Sequence, residues 1–247
     1  MERIKIIDLH CHILPGLDDG SGSPEESLAM VRLAIESGVR AIVATPHCAG
    51  DRRQAVTGEW RLLQEALEDM EMPLAVYPGM EILGHGETAR LLKEGKLLTL
   101  NHSRYPLIEF PFRAMAEENT KILSEAIEAG YRPLIAHPER YECVQEDPGC
   151  VNLWYRMGCL FQINRGSLLG RFGQAARDMA FELVDRGFAT VVASDAHSSR
   201  MRTTWLRDVY DLLAKEFAPA AAQYLMWHNP QKILKNELIH PVKPEWF

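Results

Sequence analysis

The sequence contains no apolar run long enough to cross a lipid bilayer. No stretch approaches the roughly 20 apolar residues that a membrane-spanning helix requires. The chain begins Met1-Glu2-Arg3 and is polar again at Asp8, whereas a secretory signal peptide has a long apolar segment near its start. We therefore expect a cytoplasmic protein that does not insert into membranes.

The sequence also lacks a cysteine pattern for disulfides or for a structural zinc site. It has five irregularly spaced cysteines and no Cys-x-x-Cys pair, which does not indicate a secreted disulfide framework. The spacing from Cys150 to Arg156 matches the Cys-x5-Arg loop of cysteine-dependent tyrosine phosphatases. Such a loop needs small residues, but Leu153, Trp154 and Tyr155 are bulky. We interpret Cys150 as an ordinary helix residue.

Negative charges outnumber positive charges in this chain. Lys and Arg number 27 against 34 Asp and Glu, so the formal net charge is −7. Nucleic-acid-binding proteins carry a basic footprint, so we expect no nucleic-acid partner. An acidic protein that handles an anionic substrate must concentrate positive charge locally, and bound metal ions would do so.

Short apolar runs alternate with helical patterns along the chain. The runs predict strands at about residues 4–9, 39–45, 74–80, 106–110, 133–137, 159–164 and 189–194. The helical patterns lie at about 24–37, 54–71, 86–95, 116–130, 147–158, 172–187 and 200–216. After about residue 217 one or two short helices follow, the last opening at Asn229-Pro230. Continuous apolar runs suit strands buried on both faces of a parallel sheet. The alternation predicts one α/β domain over residues 1–247, closed into a barrel.

Six of the seven predicted strands end on residues that can bind a metal ion. These residues are His10, His12, His47, Glu81, Glu109, His137, Asp195 and His197. A single histidine on an apolar strand is more often a hydrogen-bonded core residue. Strand C-termini in a parallel barrel form one face, however, so these side chains would meet there. Imidazole and carboxylate together suit Mn²⁺, Fe²⁺ or Zn²⁺.

Two acidic positions leave alternatives open. Asp8 either orients a ligand imidazole or caps the barrel floor. The Asp18-Asp19-Gly20 segment is either a solvated turn, for which Asp-Gly is a strong signal, or a loop that sends one carboxylate back to the cluster.

The motifs resemble those of the PHP (polymerase and histidinol phosphatase) superfamily. Within it they are most similar to the bacterial manganese-dependent protein-tyrosine phosphatases of capsular and exopolysaccharide biosynthesis, the CpsB/CapC type. The matching motifs are Asp8-x-His10-x-His12, Thr45-Pro46-His47, Gly79-x-Glu81, Leu107-Ile108-Glu109-Phe110, His137-Pro138-Glu139-Arg140-Tyr141 and Asp195-Ala196-His197. The resemblance implies a distorted seven-stranded TIM-like (β/α)7 barrel, the PHP fold.

The resemblance also implies three metal ions, usually Mn²⁺, and assigns their ligands. The three ligand sets are His10, His12, Glu81 and Asp195; Glu81, Glu109 and His137; and Asp19, His47 and His197. It implies that Arg140 binds phosphate and that Arg202 is a second such arginine, for which Arg200 is the alternative. His85 has no counterpart in the family, and we expect a loop residue that touches substrate.

These assignments imply a metal-dependent phosphomonoesterase in which a metal-bridging hydroxide attacks the phosphate. Four ligand carboxylates against three divalent ions leave two surplus positive charges for a phosphate dianion. The implied substrate is the phosphotyrosine tail of a bacterial tyrosine kinase that regulates capsule or exopolysaccharide synthesis. The alternatives are a small-molecule phosphatase such as histidinol-phosphate phosphatase, a polymerase-linked exonuclease, and a metal-binding regulator with a decayed site. The sequence does not identify the native metal, and it does not determine whether the protein is a monomer or a homo-oligomer.

Overall fold

All strand pairings in the computed structural model are parallel among the residues that it describes, 4–240 and 243–247. The strands are β1 (Ile6–Cys11), β2 (Val39–Ala44), β3 (His47–Cys48), β4 (Ala75–Pro78), β5 (Glu81–Leu83), β6 (Leu107–Glu109), β7 (Leu134–Ala136), β8 (Leu160–Asn164) and β9 (Val191–Ala193). The predicted α/β class with a parallel sheet is confirmed.

The strand pairings run once around the molecule. One sheet has the order β1-β2-β4 and the other β3-β5-β6-β7-β8-β9. β3 continues β2 along the chain, and β5 continues β4, so the two sheets share two interrupted strands. A parallel bridge between Cys11 and Ala196 joins the end of β1 to the segment after β9. There the His12 amide donates to the Ala196 carbonyl at 2.9 Å. Counting each interrupted strand once gives seven positions, as a seven-stranded barrel requires.

The two interruptions have local causes. The predicted strand 39–45 breaks before Pro46, which has no N–H to donate to a sheet. Its carbonyl accepts from the Glu81 amide at 3.1 Å, so pairing resumes immediately. The predicted strand 74–80 breaks at Gly79, which packs on Val43 so closely that a Cβ would come within 2.8 Å of that side chain.

The helices follow the strands as predicted, with changes at their ends. They are α1 (Pro24–Ser37), α2 (Arg53–Asp69), α3 (Thr88–Lys93), α4 (Ala116–Glu128), α5 (Glu142–Glu146), α6 (Gly149–Met157), α7 (Arg165–Leu168), α8 (Gln174–Asp185), α9 (Arg207–Glu216), α10 (Pro219–Gln223) and α11 (Asn229–Leu234). None of the helices in the described parts of the chain is both long and apolar enough to cross a bilayer.

The helix predicted at 200–216 starts late, at Arg207. The preceding residues form a turn instead, because the carbonyl of Arg202 accepts from the His197 amide at 2.8 Å. Arg202 has a positive φ of 22°, which an α-helix cannot accommodate. The segment that follows His197 is therefore a loop beside the strand ends.

Buried apolar residues form two clusters that alternate along the strands. On β7, for example, Leu134 and Ala136 belong to the smaller cluster, whereas Ile135 belongs to the larger one. Because successive strand residues point to opposite faces, the smaller cluster lies on one face of the strands and the larger one on the helix side. Ile233 of α11 packs into the smaller cluster, so this C-terminal helix lies against the face that carries that cluster.

Candidate active site

The polar site continues the face of the smaller apolar cluster. On β6, Leu107 belongs to that cluster and Glu109 lies two residues later; on β8, Leu160 is followed at the same spacing by Gln162 and Asn164. Alternate residues of a strand share a face. The strands therefore bury apolar side chains along their length and present polar side chains at their C-terminal ends.

Glu81 lies at the centre of this polar cluster and is fully buried. Its Oε2 atom lies 3.1 Å from His10 Nε2, 3.2 Å from His12 Nε2 and 3.0 Å from His47 Nδ1. Its Oε1 atom lies 2.9 Å from His137 Nε2. The structure thus brings together one carboxylate and four imidazoles whose positions in the sequence span more than 120 residues.

Asp195 forms a second centre beside Glu81. Its Oδ1 atom lies 3.5 Å from His10 Nε2, 3.4 Å from His12 Nε2 and 3.7 Å from His197 Nδ1. Asp195 has a φ of 50° and His137 a φ of 34°. Positive φ is uncommon for residues other than glycine, and such strained positions cluster at functional sites.

The potential ligand atoms fall into three groups, each with its atoms within 4.8 Å of one another. The groups are His10, His12, Glu81 and Asp195; His47, Glu81 and Glu109; and His12, Asp19, His47 and His197. The first equals a set implied by the family resemblance. The second contains His47 where the resemblance implies His137, and the third adds His12. All nine predicted ligands are therefore at this site, although they group somewhat differently.

Two buried imidazole nitrogens at the site have no hydrogen-bond partner in the described part of the chain. These are Nδ1 of His137 and Nε2 of His197. Buried polar atoms are normally paired, so these atoms indicate a missing partner. A divalent cation fits that role, because imidazole and carboxylate are the donors that Mn²⁺, Fe²⁺ and Zn²⁺ accept.

The carboxylates strongly affect the protonation of the histidines. Burial disfavours the charged form of His47, but hydrogen bonds to Glu109 and Glu81 outweigh burial and raise its pKa to about 10. For His12, hydrogen bonds with Asp18 and other carboxylates likewise outweigh burial and raise the pKa well above its ordinary value. Without metal ions, protons on these imidazoles therefore balance the carboxylate charge. A cation that binds here must displace protons.

His197 differs from the other imidazoles. Burial, together with the positive charges of His12 and Arg202, lowers its pKa to about 4. Its Nδ1 atom lies 3.1 Å from the Asp195 carbonyl. His197 is therefore neutral at physiological pH, which is the form that binds metals.

The loop at residues 18–20 is part of the site. Asp18 Oδ2 lies 2.7 Å from His12 Nδ1 and accepts from the His47 amide at 2.8 Å. Asp19 Oδ1 lies 3.5 Å from Nε2 of both His47 and His197. Gly20 packs so closely that a Cβ would lie 2.4 Å from that of His12. Both carboxylates thus reach the cluster. Asp19 was predicted to reach the cluster, whereas the contact of Asp18 with His12 was not predicted.

Two amide side chains on β8 were also missed. Gln162 Oε1 lies 2.9 Å from His10 Nδ1 and accepts from the His137 amide at 3.2 Å. The Asn164 side chain donates to Asp195 Oδ2. A signal was available, because Gln162 and Asn164 are polar residues at alternate positions of an otherwise apolar strand.

Among the described residues, the Asp8 carboxylate forms no hydrogen bond with an imidazole. It accepts from the amide of Ser194 at 3.0 Å, from the Ser194 hydroxyl at 2.6 Å and from the amide of His10 at 3.4 Å. The interpretation of Asp8 as a group that orients a ligand ring is therefore wrong. Asp8 instead holds β1 to the segment after β9, from which Asp195 projects.

Two arginines flank the cluster on the side of Asp195. The Arg140 guanidinium lies between two aromatic rings, with its Cζ atom 4.4 Å from the Phe112 centroid and 4.1 Å from that of Phe172. Its Nη1 atom lies 3.6 Å from Asp195 Oδ2. Arg202 Nη2 lies 2.5 Å from the same oxygen, and its buried Nε has no partner in the described residues.

His85 and Cys150 lie outside the three ligand groups. His85 holds its own loop, since its Nε2 lies 3.0 Å from the Ala49 carbonyl and its Nδ1 accepts from the Glu87 amide at 3.2 Å. Cys150 lies in α6. Its contact with the Cys143 thiol, reinforced by burial, raises its pKa, which is the opposite of what a nucleophilic cysteine needs.

Comparison with known proteins gives consistent results. The sequence profile of the family described as capsular polysaccharide synthesis, CpsB/CapC, matches residues 6–235. The chain is 36% identical over 244 residues to the tyrosine-protein phosphatase YwqE of Bacillus subtilis, covering 97% of this chain and 96% of YwqE. It is 32% identical over 247 residues to the tyrosine-protein phosphatase CpsB of Streptococcus pneumoniae, covering 95% of this chain and 100% of CpsB.

The backbone is similar to the same group of proteins. It matches a chain from the crystal structures of YwqE from Bacillus subtilis and CpsB from Streptococcus pneumoniae, which are described as metal-dependent tyrosine phosphatases. The TM-score is 0.91 at 35% identity, and the match covers 98% of this chain and 99% of that one. Sequence and backbone similarity therefore point to one set of proteins.

Proposed function

This chain belongs to the CpsB/CapC family, and we propose that it is a metal-dependent protein-tyrosine phosphatase. The observation that carries the proposal is the convergence of imidazoles and carboxylates into three ligand groups beside Arg140 and Arg202. Relatives across nearly the full chain are named tyrosine-protein phosphatases. Since the family description refers to capsular polysaccharide synthesis, we propose a bacterial tyrosine kinase of that process as the protein substrate.

Three divalent cations would occupy the ligand groups, and Mn²⁺ is the first candidate. The proposed ligands are His10, His12, Asp19, His47, Glu81, Glu109, His137, Asp195 and His197. When bound, such ions lower the pKa of a water molecule and neutralise charge on the phosphoryl group. Gln162 and Asp18 would fix the orientation of His10 and His12 through their second ring nitrogens, because ligand imidazoles usually donate the other N–H to an acceptor.

Arg140 and Arg202 would bind the phosphate. Both guanidinium groups approach Asp195 Oδ2, which places them at the edge of the ligand groups. A guanidinium can donate two parallel hydrogen bonds to phosphate oxygens. The same contacts would stabilise the negative charge that develops in the transition state. The rings of Phe112 and Phe172 would hold Arg140 in place while it does so.

The site is open at the edge where the substrate would enter. The side chains of Asp19 and His47 are 69% and 38% exposed, so a phosphorylated side chain on a protein can approach. Phe112 is 42% exposed beside Arg140 and offers an apolar surface to the tyrosyl ring. The tyrosinate leaving group needs little protonation, since the pKa of tyrosine is about 10.

The decisive test compares two substrates on one preparation. The Mn²⁺-loaded protein is assayed in parallel against a phosphotyrosine peptide and histidinol phosphate. We expect preference for the peptide, loss of activity on chelation and recovery when Mn²⁺ is restored, with Fe²⁺ and Zn²⁺ as comparison metals. Preference for histidinol phosphate would show that the substrate is a small phosphate ester and not a phosphorylated protein. Turnover that resists chelation would exclude the metal-dependent reaction.

A further inference from the structure

A basic cavity of about 390 Å³ adjoins the proposed phosphate site. Its charged lining residues are Arg165, Arg171, Arg200 and Arg202, and no aspartate or glutamate of the described part of the chain lines it. The cavity volume lies within the range of about 300–1,000 Å³ that is typical of ligand sites. A concentration of arginines in a protein with a net charge of −7 requires an explanation that the ligand groups do not supply.

Two of the four arginines have their charge already balanced. Arg165 forms a bidentate pair with Asp208, at 2.8 Å and 2.6 Å, and Arg202 pairs with Asp195. Arg171 and Arg200 are exposed, and neither forms a side-chain ion pair within residues 4–240 and 243–247. The cavity therefore has two cations without a protein counterion.

The cavity shares walls with the active site. Arg202 and Asn164 line it and also contact Asp195. Phe172 lines it while its ring stacks on Arg140. The ring packs directly on the backbone of Gly166, where a Cβ would lie 2.4 Å from it. The boundary between the two sites is therefore well packed.

We propose that Arg171 and Arg200 form a second anion subsite, which binds an acidic group close to the phosphotyrosine in the same peptide. The proposal rests on the proposed function. Adjacent residues of an extended chain are about 3.3–3.6 Å apart, so a residue near the phosphotyrosine can reach a cavity that shares Arg202 with the phosphate site. Guanidinium groups bind carboxylate and phosphate with the same two-donor geometry. The ligand is therefore an aspartate or glutamate carboxylate or a second phosphate.

The test uses three phosphotyrosine peptides that differ only beside the phosphotyrosine: one with neutral neighbours, one with acidic neighbours and one with a second phosphotyrosine. The wild-type protein should favour one or both anionic peptides through a lower KM. The double variant Arg171→Ala/Arg200→Ala should raise KM for the favoured peptide about fivefold to tenfold, as expected for two solvent-exposed charge pairs. Its kcat and its KM for the neutral peptide should change less than twofold. Comparison of the two anionic peptides tells a carboxylate ligand from a phosphate ligand.

A matched control removes the same charge elsewhere. Arg32 and Arg61 are exposed residues of α1 and α2 and do not line the cavity. Arg32→Ala/Arg61→Ala should leave the preference for anionic peptides intact, because the effect depends on position and not on net charge. An equal loss of preference in this control would overturn the subsite.

A charge-reversed variant gives a gain of function that misfolding cannot produce. Arg171→Glu/Arg200→Glu should favour a phosphotyrosine peptide with lysine neighbours over the acidic one. Equal KM values for neutral and anionic peptides in the wild-type protein would overturn the subsite and leave the proposed function standing. A wild-type protein that hydrolyses none of the phosphotyrosine peptides would instead overturn the proposed function.

Discussion

Gln162 provides the sharpest test of the metal site, because it contacts proposed ligands without being one. Its Oε1 atom lies 2.9 Å from His10 Nδ1 and 3.2 Å from the amide nitrogen of His137. The substitution Gln162→Leu removes this acceptor with little change of volume. His10 then loses the partner that fixes its ring, and the His137 amide loses its acceptor.

The loss should appear mainly as weaker metal binding. Removal of a group that orients a metal ligand typically lowers metal affinity about 10- to 100-fold, and we expect a loss in that range. Leaving a buried donor unpaired costs about 1–3 kcal/mol, so the metal-free protein should also be less stable. The two effects are measured separately, by calorimetric titration with Mn²⁺ and by thermal unfolding with chelator present.

Gln162→Glu is the matched control, because it keeps an acceptor oxygen at the same position. A carboxylate partner makes a ligand imidazole more basic, so this variant should keep metal affinity within a few-fold of wild type. Wild-type Mn²⁺ affinity in Gln162→Leu would refute the assignment of Gln162 as a positioning residue. Equal losses in both variants would show that the effect does not depend on the acceptor.

Three further predictions follow from the site. Arg140→Lys should lower kcat/KM at least tenfold with unchanged metal content, because lysine cannot donate two parallel hydrogen bonds to phosphate oxygens. Wild-type rates in steady-state kinetics would contradict a phosphate-binding role for Arg140. Cys150→Ser should keep full metal-dependent activity, and an inactive, folded variant would revive a thiolate mechanism. The pKa of His47, about 10 without metal, means that this imidazole is protonated at neutral pH and must lose its proton on metal binding. Mn²⁺ affinity should therefore rise from pH 6 to pH 9, and Mn²⁺ binding should release protons. Calorimetry in buffers of different ionisation enthalpy measures both effects. An affinity that does not change with pH, without proton release, would contradict the protonated state of His47 in the metal-free protein.

The sequence by itself determined the class of fold and predicted most of the residues that gather at the strand ends. Strands buried on both faces read as continuous apolar runs, and α1 was predicted to its observed bounds, Pro24–Ser37. Its ends carry local signals, because Ser23 accepts from the Glu26 amide and Gly38 takes a φ of 100°. Eight of the nine predicted ligands could be proposed because they lie at or beside the ends of predicted strands, and parallel strands end on one side. The apolar runs, the helix ends and the residues at strand ends each depend on a short stretch of chain, so they can be identified from the sequence.

Only the tertiary structure decided which potential ligand side chains lie together and which residues contact them. His47 belongs to two ligand groups and His137 to none of the three, and the strand pattern contains no information about that. The sequence also does not give the surroundings of the two candidate arginines: Arg202 contacts Asp195, while the exposed Arg200 lines the neighbouring cavity. Such contacts depend on side-chain directions and loop paths that bring together residues far apart along the chain. Distances of a few ångströms between them are set by the packing of the whole fold, and no local pattern in the sequence specifies them.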